Sequence, residues 1–457
     1  MQTTLESRSK TLVQLKETFP FLGAGLEYSK GPLKMFQRIS IDYPDLGIVF
    51  FKLTNVPVCY VYNPDYIQHV LQQNHKNYIK PYQFKQLKIV LGNGLVTSEG
   101  SFWLKQRRLM QPAFHKQRLA TFLDTMVGKT KLRLENWDKN IASNQSFDVF
   151  QEMMGLTLEI VSECLFGTNV SEQTEVVSKS LTYLIEELNN RVKGVAPFPM
   201  WVPTYKNLKI KKERTVLDKI VLDIIANRKK STERYDDLLG MITEMQDADT
   251  GEKMSDQQLR DEVMTLFIAG HETTANAITW ALYLLSQNKE VENKFHQELK
   301  TVLDGRMPTL EDLQKLTYTM QIVHETLRLY PSAWMMGRKS INDDEIGGYH
   351  VPAGTNILMS QYVIQRNPQF WESGDAFNPD NFIAEKEKAR HKFVYFPFGG
   401  GPRFCIGNNF SLMELQIMLA VMGQHYKFSH DHSHKVALDP QITLRPLGGM
   451  KMKLEKR

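Results

Sequence analysis

A glycine-rich loop around a rare cysteine most constrains what this 457-residue chain can fold into. Residues 398–407 read Phe-Gly-Gly-Gly-Pro-Arg-Phe-Cys-Ile-Gly, and Cys405 is one of only three cysteines. Three consecutive glycines are a costly way to build a loop, because glycine loses the most backbone freedom on folding. The cost is understandable if the backbone must approach a ligand closely. A metal-bound thiolate needs N–H donors and nearby positive charge, which Arg403 can supply.

The alternative interpretation is a glycine-rich turn that holds a buried, inert cysteine, the usual state of a free cysteine. The residues after the loop favour a functional thiolate. Residues 410–419 read as a buried helix, so Cys405 would precede a helix N-terminus. The positive end of that helix would stabilise an anionic sulfur.

The composition is that of a globular protein without a strong preference for nucleic acid. The chain is 42% hydrophobic and 23% charged, and its net charge is only +5. The spacing of Cys59, Cys164 and Cys405 excludes a zinc knuckle or a disulfide framework and suits a reducing compartment. Residues 1–20 read as a loosely ordered leader with no apolar run long enough to span a bilayer. We therefore expect a cytoplasmic protein without a membrane anchor.

The pattern along the chain predicts a mainly α fold with small β-sheets, in one domain over residues 1–457. Two strand-like runs at 47–53 and 57–62 predict a hairpin, and Asn63 followed by Pro64 predicts a helix start. Strand patterns return around 346–357 and near the C-terminus. Helical patterns dominate in between; examples are 118–140, 147–166, 173–192 and 212–230.

One long helix is predicted over residues 255–288, with a capping box at Ser255 and Gln258. Residues 269–274 in its middle read Ala-Gly-His-Glu-Thr-Thr. Glycine, ionisable residues and threonines are poor choices for a buried helix interior, and threonine can bond to the carbonyl four residues earlier. Such a local conflict predicts a kinked functional site. A polar kink satisfied by neighbouring helices is the alternative.

Two further pairs have helical spacing. Glu325 and Arg328 are three residues apart among apolar neighbours, which predicts a buried structural ion pair. Trp103 and Arg107 are four apart, and both can donate hydrogen bonds to an anionic group. Taken singly, each pair is more often a solvated or core feature than a ligand clamp.

Together these four stretches resemble the cytochrome P450 superfamily of haem-thiolate monooxygenases, over about residues 20–450. Phe398-x-x-Gly401-x-Arg403-x-Cys405-x-Gly407 matches the family's haem-binding loop at each defined position. Residues 269–274 are similar to its oxygen-activating helix kink. The overall pattern is most similar to the soluble bacterial type and its fatty-acid-hydroxylating branch. The resemblance implies the P450 fold, a helical bundle with small sheets around a long kinked helix.

The chain departs from the family pattern at one position. Asn381, in Phe-Asn-Pro-Asp-Asn-Phe at 377–382, stands where the family usually has an arginine that joins the Glu-x-x-Arg pair. We expect Asn381 to hydrogen-bond without adding charge, which gives a weaker network.

The resemblance implies a haem b site with Cys405 as the iron ligand, since a thiolate ligand favours O–O cleavage. It implies Glu272 and Thr273 as an acid–alcohol pair for proton delivery. The remaining implied haem contacts are Trp103, Arg107, Arg338, Phe398 and Arg403. The implied substrate pocket is hydrophobic and contains Val96, Ala269, Ala333 and Trp334, followed by Met335 and Met336.

The implied reaction inserts one oxygen atom of O2 into a small hydrophobic substrate: a lipid, fatty acid or terpenoid, with a fatty acid favoured. Because no flavin or nicotinamide region follows, a ferredoxin or flavodoxin with its reductase would supply electrons to a monomeric enzyme. The basic run Lys206, Lys209, Lys211, Lys212 and Arg214 could dock such a partner, or could simply be a solvated face. The alternatives are a haem-thiolate peroxygenase or isomerase and a non-catalytic haem-binding sensor.

Overall fold

The computed structural model describes residues 10–15, 23–142, 145–167, 171–193, 197–230, 237–246 and 251–457. The fold is mainly helical with small sheets, as the sequence predicts. The chain forms two compact units from non-contiguous segments. The first contains Met1–Tyr82, Ala333–Ala376 and Glu385–Cys405; the second contains Gln83–Ser332, Phe377–Ala384 and Ile406–Arg457.

The α-helices and β-strands are numbered in chain order. The helices are α1 (Gly25–Lys30), α2 (Pro32–Asp42), α3 (Pro64–Gln68), α4 (Gln83–Leu91), α5 (Gly100–Met110), α6 (Lys116–Leu119), α7 (Leu123–Ala142), α8 (Val149–Phe166), α9 (Ser171–Lys193), α10 (Tyr205–Lys230), α11 (Leu238–Glu244), α12 (Asp256–Gln287), α13 (Lys289–Val302), α14 (Leu310–Lys315), α15 (Thr317–Leu329), α16 (Gln361–Ile364), α17 (Ala384–Ala389) and α18 (Asn408–His425). The strands are β1 (Ile48–Leu53), β2 (Val56–Val61), β3 (Tyr78–Ile79), β4 (Phe147–Asp148), β5 (Met336–Ser340), β6 (Asp344–Ile346), β7 (Tyr349–Val351), β8 (Asn356–Met359), β9 (Tyr426–His430), β10 (Leu438–Pro440), β11 (Leu444–Pro446) and β12 (Lys451–Lys456).

The first unit is built on a five-stranded sheet in the order β1-β2-β8-β5-β3. The predicted β1–β2 hairpin is confirmed, with Leu53 opposite Val56 across a two-residue turn. Thr54 takes a positive φ of 54° in this turn. The buried side of the sheet packs against Phe393 and Phe396. Apolar alternation and a short turn are local features, which is why the sequence reveals them.

The strand patterns expected around 346–357 are confirmed, and the structure divides that region into β6, β7 and β8. Gly347 and Gly348 separate the first two strands and have φ values of +61° and +85°. A Cβ at Gly347 would also overlap the ring of Tyr66. The tight turn therefore requires glycine and ends the strand.

Part of the predicted leader is ordered against the first unit. The Lys10 N–H donates to the Gly348 carbonyl at 2.6 Å, and the Phe50 N–H donates to the Val13 carbonyl at 3.0 Å. Residues 1–9 and 16–20 lie outside the described residues.

The second unit is organised around α12, which is buried along most of its 32 residues. The predicted capping box is confirmed: the Gln258 N–H donates to Ser255 Oγ at 3.3 Å, and the Ser255 N–H donates to Gln258 Oε1 at 2.7 Å. Helix α8 packs closely on α12, since a Cβ at Gly270 would lie 2.9 Å from Val161 Cγ2. Two small sheets, β4-β12-β9 and β10-β11, complete the unit.

Two helix starts differ from the prediction. Helix α7 begins at Leu123, after shorter turns, and α10 begins at Tyr205, seven residues before the predicted start at 212. The Asn207 N–H donates to Thr204 Oγ1 at 3.2 Å, which caps α10. The first two turns of α10 are rich in lysine and lack an apolar stripe, so periodicity does not reveal them.

The predicted Glu325–Arg328 pair lies on α15, and neither side chain is exposed to solvent. Arg328 donates from Nε and Nη2 to the two carboxylate oxygens, each at 2.7 Å. The Asn378 N–H and Asn381 Nδ2 also donate to Glu325 Oε1, at 2.8 and 3.1 Å. Burial raises the pKa of Glu325, and Arg328 offsets part of that rise. Asn381 therefore joins the pair through a hydrogen bond, as expected from its side chain.

Replacing Glu325 with alanine should lower the free energy of unfolding by about 3–5 kcal/mol, because Arg328 would remain buried without its counter-ion. Asn381→Ala should cost only about 1 kcal/mol, because it removes one hydrogen bond. Denaturant unfolding followed by circular dichroism measures both variants against the unmodified protein. Equal losses in the two variants would contradict this ranking.

Candidate active site

The cysteine loop lies in the first unit, and its glycines are required by close backbone packing. Gly399 and Gly401 have φ values of +77° and +67°. A Cβ at Gly401 would overlap the carbonyl oxygen of Leu71. The Cys405 N–H donates to the Phe398 carbonyl at 3.0 Å, which closes the loop. The sequence predicts that the backbone of this loop approaches a ligand closely. The close contact of Gly401, however, is with the Leu71 backbone.

Cys405 differs from the other two cysteines in its exposure. Cys59 and Cys164 are buried, whereas Cys405 is exposed. Burial raises the pKa of the Cys59 thiol to about 12 and that of Cys164 well above its ordinary value. Those two thiols stay protonated and inert. Cys405 is therefore not the buried cysteine of the alternative interpretation.

Strand β5 passes beside the cysteine loop within the first unit. A Cβ at Gly399 would lie 3.1 Å from the Met336 methyl carbon. Met336 and Arg338 share a face of β5, because side chains alternate along a strand. Arg338 is buried and donates from Nη1 to the Gly337 carbonyl at 2.8 Å. Just before β5, Ala333 is half-buried and Trp334 is buried.

In the second unit, α12 has an accessible stripe in its middle. Leu266, Gly270 and Thr273 are partly exposed and Ala269 is exposed, although most of the helix is buried. Their spacing places them on one helical face. The Leu95 N–H donates to Glu262 Oε2 at 2.9 Å. This bond holds the segment that carries Val96 against α12, so Val96 and the Ala269 stripe belong to the same part of the unit.

Side-chain hydroxyls bind three alternate carbonyls of α12 near this stripe. Thr273 Oγ1 donates to the Ala269 carbonyl at 2.7 Å. Thr157 Oγ1 on α8 donates to the His271 carbonyl at 3.0 Å, and Ser332 Oγ donates to the Thr273 carbonyl at 2.6 Å. The α-helix nevertheless continues from residue 256 to residue 287 despite these competing donors.

The Glu272 carboxylate is buried and held by the β10–β11 hairpin. Arg445 Nε donates to Glu272 Oε1 at 2.5 Å, and Thr443 Oγ1 donates to the same oxygen. The Glu272 side chain is 4% exposed and that of Arg445 is 19% exposed. The adjacent His271 is also buried, and burial lowers its pKa to about 4, so it is neutral at pH 7. The β10–β11 hairpin therefore supplies the polar partners of Glu272 at this point of the helix.

Sequence reasoning missed Thr443 and Arg445. They lie 171 and 173 residues after Glu272. The one sequence signal for them is their spacing. Thr443 and Arg445 are two residues apart at the start of β11, and this spacing places both side chains on the same face of an extended strand.

Helix α5 carries Trp103 and Arg107, both partly exposed. Gln106 shares their face by helical spacing and is fully buried. Neither Nε2 nor Oε1 of Gln106 has a hydrogen-bond partner among the described residues. A face with a guanidinium, an indole N–H and an unsatisfied amide fits an oxygen-rich anionic group.

Within each unit taken separately, these residues suit contacts with a haem. The exposed Cys405 thiol can ligate iron, and Arg338 and Arg403 supply positive charge in the first unit. In the second unit, the accessible α12 stripe provides an open apolar face, and α5 provides donors for carboxylates.

The basic run on α10 is partly neutralised. Lys206 Nζ lies 3.3 Å from Glu187 Oε1, and Lys209 Nζ lies 4.1 Å from the Tyr183 ring centroid. Arg214 Nε lies 3.2 Å from Asp218 Oδ2. Lys211 and Lys212 are exposed. Across the described ranges, no helix is both long enough and apolar enough to cross a membrane.

The sequence of the chain matches a model of the cytochrome P450 family over residues 13–452. Cyclooctatin synthase of Streptomyces melanosporofaciens is 32% identical over 93% of this chain and 92% of its own length. Cytochrome P450 4V2 of Homo sapiens is 30% identical over 96% and 88%. Cyclooctat-9-en-7-ol 5-monooxygenase, also of Streptomyces melanosporofaciens, is 30% identical over 80% and 79%. The crystal structure of the cytochrome P450DA heme domain superposes with a TM-score of 0.89 and 23% identity over 98% of both chains, which establishes the fold.

The chain belongs to the cytochrome P450 family. It is a cytochrome P450 monooxygenase, and haem is the cofactor of that family.

Proposed function

We propose that the chain acts as a single haem b monooxygenase domain that inserts one oxygen atom of O2 into a hydrophobic substrate. The observation that carries this proposal is the α12 stripe, where an accessible hydroxyl adjoins a buried, anchored carboxylate. Thr273 is partly exposed, and Glu272 next to it is held by Arg445. This pairing suits controlled proton delivery to a site that otherwise excludes water.

Cys405 would ligate the haem iron. Arg338, Arg403 and Arg107 would neutralise the propionates, and the Trp103 indole N–H would donate a hydrogen bond to one of them. Phe398 would shield the thiolate from water. Bound haem with a thiolate ligand supplies the electron density that cleaves the O–O bond of dioxygen.

Glu272 and Thr273 would move the protons that this cleavage consumes. Arg445 stabilises the Glu272 carboxylate and is itself partly exposed, which gives the buried acid a link to solvent. Glu272 would take up protons from water and pass them to the Thr273 side. The Thr273 hydroxyl commits its hydrogen to the Ala269 carbonyl, so its oxygen lone pairs remain able to accept a hydrogen bond.

Replacing Thr273 with alanine should reduce the product formed per electron pair consumed by roughly tenfold or more, because protons would arrive out of step with electrons. Thr279→Ala is the matched control: Thr279 Oγ1 donates to the Ala275 carbonyl at 2.7 Å in the same helix and is buried. Product and peroxide measured against NAD(P)H oxidation give the coupling. Equal coupling in both variants would argue against the relay.

Replacing Cys405 with serine should abolish the red-shifted Soret band of the reduced, CO-bound protein, since that shift requires a thiolate ligand. Cys59→Ala and Cys164→Ala should keep the band, because both thiols are buried and inert. A red-shifted band that survives in Cys405→Ser protein would exclude this ligand assignment.

The side chains that the family resemblance assigns to the substrate pocket support a hydrophobic substrate. Val96, Ala269 and Ala333 are small and apolar, and Trp334 is aromatic. We favour a fatty acid among such substrates. A cyclic alkenol is the second candidate, because one relative's name specifies cyclooctat-9-en-7-ol.

Titrating the haem-loaded protein with fatty acids and with cyclic alkenols should distinguish the two candidate substrates. Binding of a true substrate beside the haem should shift the Soret absorption of the protein to shorter wavelength. Micromolar binding of long-chain fatty acids, with no response to cyclic alkenols, is the expected result. Binding of cyclic alkenols with no response to fatty acids would instead indicate the alkenol as the substrate.

We propose a separate ferredoxin or flavodoxin with its reductase as the electron donor. Turnover with such a pair and dioxygen separates this function from the two alternatives. Turnover with peroxide alone would indicate a peroxygenase, and binding without turnover would indicate a sensor.

A further inference from the structure

An open cleft lies on the surface of the second unit, and none of its lining residues is assigned to the monooxygenase reaction. It has a volume of about 410 Å³, and it is lined by one face of α13, by Lys427 of β9 and by Arg457 after β12. The lining face of α13 contains Glu292, His296 and Lys300, which are four residues apart and therefore lie on one side of the helix. A cleft of this size can hold a small organic molecule.

The wall that α13 forms is held firmly against α18. Phe295 and Leu299, on the inner side of α13, are buried. A Cβ at Gly423 of α18 would overlap the Phe295 ring and would lie 3.0 Å from Leu299 Cδ1. The position of the α13 face that lines the cleft is therefore fixed by close packing of the two helices.

The cleft has an excess of positive charge. Three of the lining side chains are cationic, those of Lys300, Lys427 and Arg457, and Glu292 is the one acidic residue among the described residues that line it. Lys427 Nζ lies 3.9 Å from Glu292 Oε2. Burial raises the pKa of Glu292, and Lys427 offsets part of that rise. Arg457 Nη1 donates to the Gly423 carbonyl at 3.0 Å, which holds the guanidinium at the edge of the cleft.

His296 adds an unsatisfied polar group to the cleft. Both of its ring nitrogens are buried, and neither has a hydrogen-bond partner among the described residues. The Gly423 carbonyl near the ring already accepts the bond from Arg457. Burial lowers the pKa of His296 to about 4, and the charges of Arg457 and Lys427 add to this effect, so the imidazole is neutral at pH 7. A buried polar group without a partner is unfavourable, and a ligand in the cleft can supply the missing bond.

We propose that this cleft, the α13–β9 cleft, binds the phosphate group of a small phosphate ester. A phosphate monoester carries up to two negative charges and three strong acceptor oxygens at neutral pH. These match the excess of cationic side chains and an N–H donor on the His296 imidazole. A metal cation is repelled by the three cationic side chains, and a neutral molecule leaves their mutual repulsion unchanged. The cleft is larger than an inorganic phosphate ion, so it has room for the group to which the phosphate is attached.

Equilibrium dialysis of radiolabelled inorganic phosphate against the haem-loaded protein tests this proposal. One phosphate should bind per chain, and ribose 5-phosphate and adenosine monophosphate should displace it at lower concentration than unlabelled phosphate does. All solutions have equal ionic strength, so that displacement does not reflect screening of charge. Displacement by unlabelled phosphate but by neither ester would restrict the site to the free ion and would overturn the assignment to an ester.

Variants of the lining locate the binding in this cleft. Lys300→Gln and Arg457→Gln should each weaken phosphate binding at least about tenfold, because a hydrogen bond between charged groups contributes at least that factor. Glu292→Gln should bind phosphate at least as tightly as the unmodified protein, since it removes the carboxyl group from the lining. Lys294→Gln is the matched control, because Lys294 is exposed on the same helix but its Nζ lies 3.7 Å from Asp380 Oδ2, outside the cleft. This control should leave phosphate binding unaltered.

The proposal is overturned if the haem-loaded protein does not retain phosphate, or if Lys300→Gln and Arg457→Gln bind phosphate as well as the unmodified protein. An equal loss of binding in Lys294→Gln would indicate general attraction to surface cations and would also overturn it. Haem content and the CO spectrum of each variant confirm correct folding. Because phosphate binding does not require turnover, its failure is distinct from a failure of the proposed reaction.

Discussion

The second unit depends on accommodating one carboxyl group, that of Glu272, in the middle of a buried helix. An ionised carboxyl group costs several kcal/mol to remove from water unless a counter-ion and hydrogen bonds meet it. Arg445 and Thr443 provide both for Glu272. The partial exposure of Arg445 lets this pair form without complete desolvation of the guanidinium. The Glu272 side chain can therefore lie on α12, next to Thr273, without unfolding the surrounding core.

The same hairpin that neutralises Glu272 also fixes the position of α12. Asn276 Nδ2 donates to Thr443 Oγ1 and Trp280 Nε1 donates to the Leu444 carbonyl, both at 3.2 Å. The Leu444 N–H donates to the Ser332 carbonyl at 2.9 Å, and Ser332 Oγ reaches the Thr273 carbonyl. The acid and the alcohol are thus tied to one strand by independent bonds. These bonds fix the position of both residues on α12 before any ligand binds.

Much of the fold was predictable because the determining interactions are local. The Ser255 capping box, the β1–β2 turn and the Glu325–Arg328 spacing all operate within a few residues. Arg445 was not predictable, since its partner Glu272 is 173 residues away and only the folded chain brings them together. The prediction of where α10 starts was wrong for a related reason. Its first turns are stabilised by the Thr204 cap and by Asn207 bonds to the preceding loop, rather than by an apolar stripe.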